Sequence, residues 1–139
     1  MFTPVSMRLV NSYKNVGVET SVSQASPHLL VGMLFDALIQ SLNAAKGHLQ
    51  SGNFEAKGQS VVRAVRILEE GLKAALDLKN GGELATNLQT VYDFSIFRLT
   101  EANLRNDAAM IDEVINVIRP VADGWSQIQG DIAVQTHKI

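Results

Sequence analysis

SPHLLVGMLFDALIQSLNAAKGHLQ, residues 26–50, decides the fold. Ser26 can accept a hydrogen bond from an N–H of the first helical turn. Pro27 suits the first helical position, because its missing N–H would be unpaired there anyway. Val31, Phe35, Leu38, Leu42, Ala45 and Leu49 then recur at alternating steps of four and three. That spacing lines them along one side of an α-helix, as a bundle helix requires. The pattern predicts a helix over 27–50, closed near Gly52.

Outward from this stretch, three more periodic segments follow. Asn53 caps a helix expected over 54–79, with Phe54, Val61, Val65, Leu68, Leu72 and Ala75 as its seam. Asn80-Gly81-Gly82 ends it, since glycine reaches the left-handed conformation that helix termini often need. A third helix is expected over 83–105, with Leu84, Leu88, Val91, Tyr92, Ser95, Leu99 and Ala102 on one face. Asn106-Asp107 makes the next turn, and Asp107 caps a fourth helix carrying Ile111, Val114, Ile118, Val121 and Trp125. Pro120 lies inside that helix and should free a carbonyl one turn earlier, kinking or splitting it. The connections read as about two to four residues, and short loops between long helices force antiparallel neighbours. The expected fold class is all-α: an antiparallel up-down four-helix bundle over 26–128. Residues 1–25 read as a mobile or capping N-terminal arm, and residues 129–139 as a polar tail.

Composition narrows the function. With 139 residues the chain is one domain by size. The 12 basic and 14 acidic side chains leave a net charge of −2, without the basic stripe of a nucleic-acid binder. There is no cysteine, which removes thiolate catalysis and disulfides. The stretch Met1 to Val10 has no apolar run long enough for a signal peptide, and no membrane span is read. A cytoplasmic protein without nucleic acid or direct membrane insertion is expected. No Glu-x-x-His occurs, so the di-metal bundle pattern is missing. His28, His48 and His137 are scattered. His48 keeps one alternative open, a histidine phosphotransfer bundle, although Lys46 and Gly47 precede it near the helix end. No catalytic residue, metal or cofactor is called for.

The sequence carries more apolar residues than its seams need. On the second helix Ala56, Ser60, Ile67, Gly71, Ala74 and Leu78 read as an arc away from both seam and charges, with Ala64 at its border. Gly71 costs about 1 kcal/mol relative to alanine inside a helix, so something should require it. On the third helix Thr90, Phe94, Phe97 and Leu104 lie off the seam. These residues either complete a wide core or form a groove for a partner's amphipathic segment. On the groove reading, Gly71→Arg should spare the fold and block binding.

At this point the residues resemble a known family, the flagellin-specific export chaperones of the FliS type. The resemblance begins at an isolated Tyr13. It continues through Ser26-Pro27, Leu30 and Met33-Leu34-Phe35-Asp36, then Ala64, Ile67, Leu68, Glu70 and Leu76. Gly82-Glu83-Leu84-Ala85, Leu88 and Tyr92 follow. Arg98-Leu99, Glu101-Ala102-Asn103, Asn106-Asp107 and Trp125 complete it. Gly71, where the family tends to have leucine, and Pro120 depart from it. The resemblance implies a bundle that binds the C-terminal segment of flagellin in the cytoplasm, prevents premature polymerisation and passes it to the cytoplasmic domain of the export gate. It also implies that the arm, with Tyr13, covers part of the binding surface when flagellin is absent.

Overall fold

The computed structural model describes residues 26–128. Tyr13, the predicted arm and the predicted tail lie outside the described residues. Four helical elements follow one another: α1 (Pro27–Gln50), α2 (Phe54–Arg66, running on into a π-helical stretch Ile67–Lys73), α3 (Gly82–Arg105) and α4 (Ala108–Gln127).

The caps act as their chemistry dictates. The Ser26 hydroxyl accepts from the Leu29 N–H at 3.1 Å, and the Asn53 side chain accepts from the Ala56 N–H at 3.2 Å. Asp107 Oδ1 takes the N–H groups of Ala109 and Met110 at 2.9 and 3.4 Å. Asn106 closes α3 in the left-handed conformation (φ 53°, ψ 47°), which asparagine tolerates better than most residues.

Contacts between distant residues fix the antiparallel arrangement. The start of α1 meets the end of α4 where the Trp125 indole N–H donates to the His28 carbonyl at 2.9 Å. The end of α1 meets the start of α4 through the Lys46–Asp112 ion pair. The start of α2 meets the end of α3 through Lys57 and Asn103, and the far end of α2 meets mid-α3 through Lys73 and Asp93. The core runs through all four helices, with Leu34, Leu38, Leu42, Leu68, Leu99 and Ile118 sealed from solvent. Tyr92 is buried among them beside Phe35, and burial pushes its phenol pKa well up. α1 has the length and composition of a membrane span, but half of its apolar window is buried inside the bundle.

The second helix departs from expectation. It ends at Lys73 rather than near 79, and residues 74–81 form an eight-residue connection. Asp77 organises this connection. Its carboxylate accepts the Asn80 main-chain N–H at 3.0 Å, a side-chain capture that favours a local turn, and its carbonyl accepts the Gly81 N–H at 2.7 Å, closing that turn.

Of the two readings offered for the off-seam arc of this helix, the groove is corrected and the wide core holds for three of its residues. Ala64, Ile67 and Gly71 are core, not groove. α2 is wedged between α1 and α3, so its buried arc is wide and takes in both the seam and these residues. Gly71 has a packing reason: a Cβ there would lie 3.1 Å from a Leu34 methyl, so the missing side chain lets the π turn close onto α1. Two seam residues are instead exposed. Phe54 and Leu84 face solvent, while Lys57 and Ala85 take buried places. Pro120 does not split α4; it and Asn116, the residue one turn before it, lie on the solvent face, where water can satisfy the freed carbonyl. Trp125 is half-buried against the core, its ring stacked on His28 at 4.5 Å.

Candidate partner-binding groove

α3 has two faces. Tyr92, Ser95, Leu99 and Ala102 point into the bundle and are buried. Asp93, Phe97, Thr100 and Leu104, at steps of four, three and four, share the outer side. Phe97 is 68% exposed and Leu104 84%. Each forgoes about 1.5–3 kcal/mol that full burial of such a side chain would supply. Together with Ile96 they line an open, mainly apolar groove of about 720 Å³, to which α2 contributes Glu69. The hydroxyl of Thr100 is turned back onto the Ile96 carbonyl at 2.8 Å, leaving its methyl group to the surface.

Charges frame this groove and are mostly paired. Lys73, at the end of the π turn, lies 2.7 Å from Asp93 and 3.7 Å from Glu69, tying α2 to α3. Its pKa is raised, chiefly by the hydrogen bond to Asp93; desolvation opposes this, and the charges of Glu69 and Asp93 add smaller upward contributions. Arg98 reaches Glu113 on α4 at 2.8 Å and Glu101 on its own helix at 3.5 Å. Arg105 adds a second contact to Glu101 at 3.6 Å. The Arg98 guanidinium also lies 6.0 Å from the centre of the Phe94 ring, within cation–π range.

Of the residues read as partner-binding, the structure brings Phe97 and Leu104 together in this groove. Phe94 is exposed beside it, under Arg98. Thr90 is exposed with its hydroxyl donating to the Thr86 carbonyl at 3.2 Å. Ala74 is half-buried and Leu78 exposed, both in the 74–81 connection rather than on a helix face. Tyr13 lies outside the described residues. Sequence reasoning missed Asn103, which lines the groove, and Lys57, which holds it. The signal was present: Lys57 stands four residues before Val61, on the buried side of α2, where a lysine needs a partner. His48 is half-buried near the end of α1, where its main-chain carbonyl accepts from the Asn53 N–H at 2.9 Å. Among the described residues no group of three or more His, Cys, Asp or Glu could hold a metal ion.

Comparison with known proteins gives these features a family. The family described as "Flagellar protein FliS" matches residues 9–131. The chain is 44% identical to a flagellar secretion chaperone FliS of Salmonella typhimurium over 129 residues, covering 93% of this chain and 96% of that protein. It is 39% identical to the FliS of Vibrio cholerae over 119 residues, covering 86% and 87%. A flagellar secretion chaperone FliSB of Pseudomonas aeruginosa is 37% identical over 123 residues, covering 88% and 97%. A four-helix bundle with an apolar groove along α3, matched over most of its length to these proteins, the chain belongs to the FliS family of flagellar secretion chaperones.

Proposed function

We propose that the protein is a cytoplasmic, non-enzymatic chaperone that binds the C-terminal segment of flagellin, keeps it from polymerising early and passes it to the cytoplasmic domain of the flagellar export gate. The observation that carries this reading is the groove along α3. Phe97 and Leu104 stand open on a bundle whose core is already filled, and a helical partner with residues at matching spacing would bury them. Such masking needs apolar area and no reacting group. Ordering a disordered segment costs about 2–5 kcal/mol or more, so the groove favours a segment that brings several apolar side chains at once.

Calorimetric titration with a synthetic peptide of the flagellin C-terminal segment tests the reading. Wild-type protein binds, and Phe97→Asp weakens binding at least about tenfold, or about 1.4 kcal/mol. Equal affinity of the two proteins would move the binding site elsewhere. No observation favours phosphotransfer through His48.

A further inference from the structure

Lys57 is 5% exposed, a rare place for an ammonium group. Its Nζ donates to the Asn103 main-chain carbonyl at 2.9 Å and to Asn103 Oδ1 at 2.6 Å. That carbonyl is one of the last four of α3, which lack donors within the helix. The side-chain contact fixes an orientation. An ammonium has only hydrogens to offer, so the amide atom facing it is the oxygen. The usual ambiguity in which way an asparagine amide points is thereby removed. Oδ1 is held by Lys57, and Nδ2 lies on the other side of the planar group. No hydrogen bond within the described residues uses Nδ2, and it is not sealed from solvent. Asn103 is half-buried and lines the groove beside Leu104.

We propose that the Asn103 amide is a fixed hydrogen-bond donor for a main-chain carbonyl of the bound segment, and that this segment is a helix lying parallel to α3 with its C-terminal end at Asn103. The proposal rests on the groove being the seat of an amphipathic segment. The last four carbonyls of a helix have no internal donors, and that end carries the equivalent of about half a negative charge. At the Asn103 end of the groove stand Lys57 and Arg105, with Glu101 there already contacted by Arg98 and Arg105. At the other end Glu69 and Asp93 share Lys73, leaving an acidic balance that suits a helix N-terminus. Asp93 to Leu104 covers about 16 Å at about 1.5 Å per residue, the length of a three-turn helix.

The test uses the full chain, labelled with ¹⁵N, and a synthetic peptide of the flagellin C-terminal segment. Asn103→Asp keeps an oxygen for Lys57 but puts an acceptor where the donor was, so the fold should hold while affinity falls at least tenfold. The Asn103 side-chain amide protons of the wild type should shift downfield on peptide addition. A nitroxide on the peptide's C-terminus should broaden them, and one on its N-terminus should not. If Phe97→Asp loses binding but Asn103→Asp does not, or if the amide stays unshifted, the donor is overturned and the groove reading stands. Broadening only from the N-terminal label would overturn the orientation. A wild type that does not bind the peptide overturns both. Should Asn103→Asp fail to fold, the wild-type amide shift decides alone.

Discussion

The inner half of α2 and the outer face of α3 look alike on paper and behave oppositely. Both carry apolar residues beyond a single heptad seam: Ala64, Ile67 and Gly71 on one, Phe94, Phe97 and Leu104 on the other. The first set is sealed in the core, while the second faces solvent. The difference lies in neighbours. The π-helical end of α2 is pressed between α1 and α3, and Gly71 accepts Leu34 against its backbone. Nothing among the described residues covers the outer face of α3. Off-seam apolar residues thus decide nothing by themselves. Their meaning depends on how many other helices touch the helix that bears them.

The strongest way to break this comparison is to charge the covered side. Gly71→Arg is expected to cost about 3–5 kcal/mol, because the guanidinium would have no partner beside Leu34 and no room. A thermal melt with a wild-type midpoint would return Gly71 to the surface. Trp125→Ala is expected to cost about 3 kcal/mol, the lower end for a large aromatic, since the indole is only half-buried but loses the His28 contact and hydrogen bond. A loss near 5 kcal/mol by denaturant titration would make it full core.

Lys57→Met comes next. It leaves the Asn103 carbonyl without its donor while keeping most of the side-chain volume, at an expected cost of about 1–3 kcal/mol. A stabilised Lys57→Met protein would mean that water replaces the ammonium. On the open face, Leu104→Asp should change stability by less than about 0.5 kcal/mol, as surface substitutions do. Unfolding there would erase the contrast between the two regions.

The smallest effect belongs to the ion pairs. The Lys73 pKa is raised in the folded protein, so its contribution is fully present below the unfolded value near 10.5 and is lost as pH rises through the folded value. The melting midpoint of the wild type should therefore fall slightly more than that of Lys73→Met between pH 10 and 12. Parallel curves would show that Lys73 stabilises nothing measurable, the usual outcome for exposed pairs.

Much of the architecture was legible. Ser26, Asn53 and Asp107 marked the helix starts because side-chain capping is a local event, decided within three or four residues. The alternation from Val31 to Leu49 fixed a bundle helix for the same reason. The family resemblance was legible as well, because residues spaced along the chain can be compared without knowing their contacts. The end of the second helix was harder. Asp77 falls in phase with the other charges of the helix although aspartate is a weak helix former, and its capture of the Asn80 N–H shows that a turn wins. Phe54 and Leu84 were assigned to seams because they fall in phase, yet each sits near a helix start and is more than half exposed.

The candidate site divides in the same way. Phe97 and Leu104 could be picked from the sequence, since a bulky apolar residue opposite a seam is a local anomaly. Asn103 and Lys57 could not be paired, because forty-six positions separate them along the chain. By itself, then, the sequence determined four antiparallel helices, their starts and the family, all consequences of short-range periodicity, capping and residue order. Only the tertiary structure decided which apolar residues are core, why Gly71 is glycine and where the groove lies. Burial and hydrogen bonding between helices depend on distances that only the packed bundle sets.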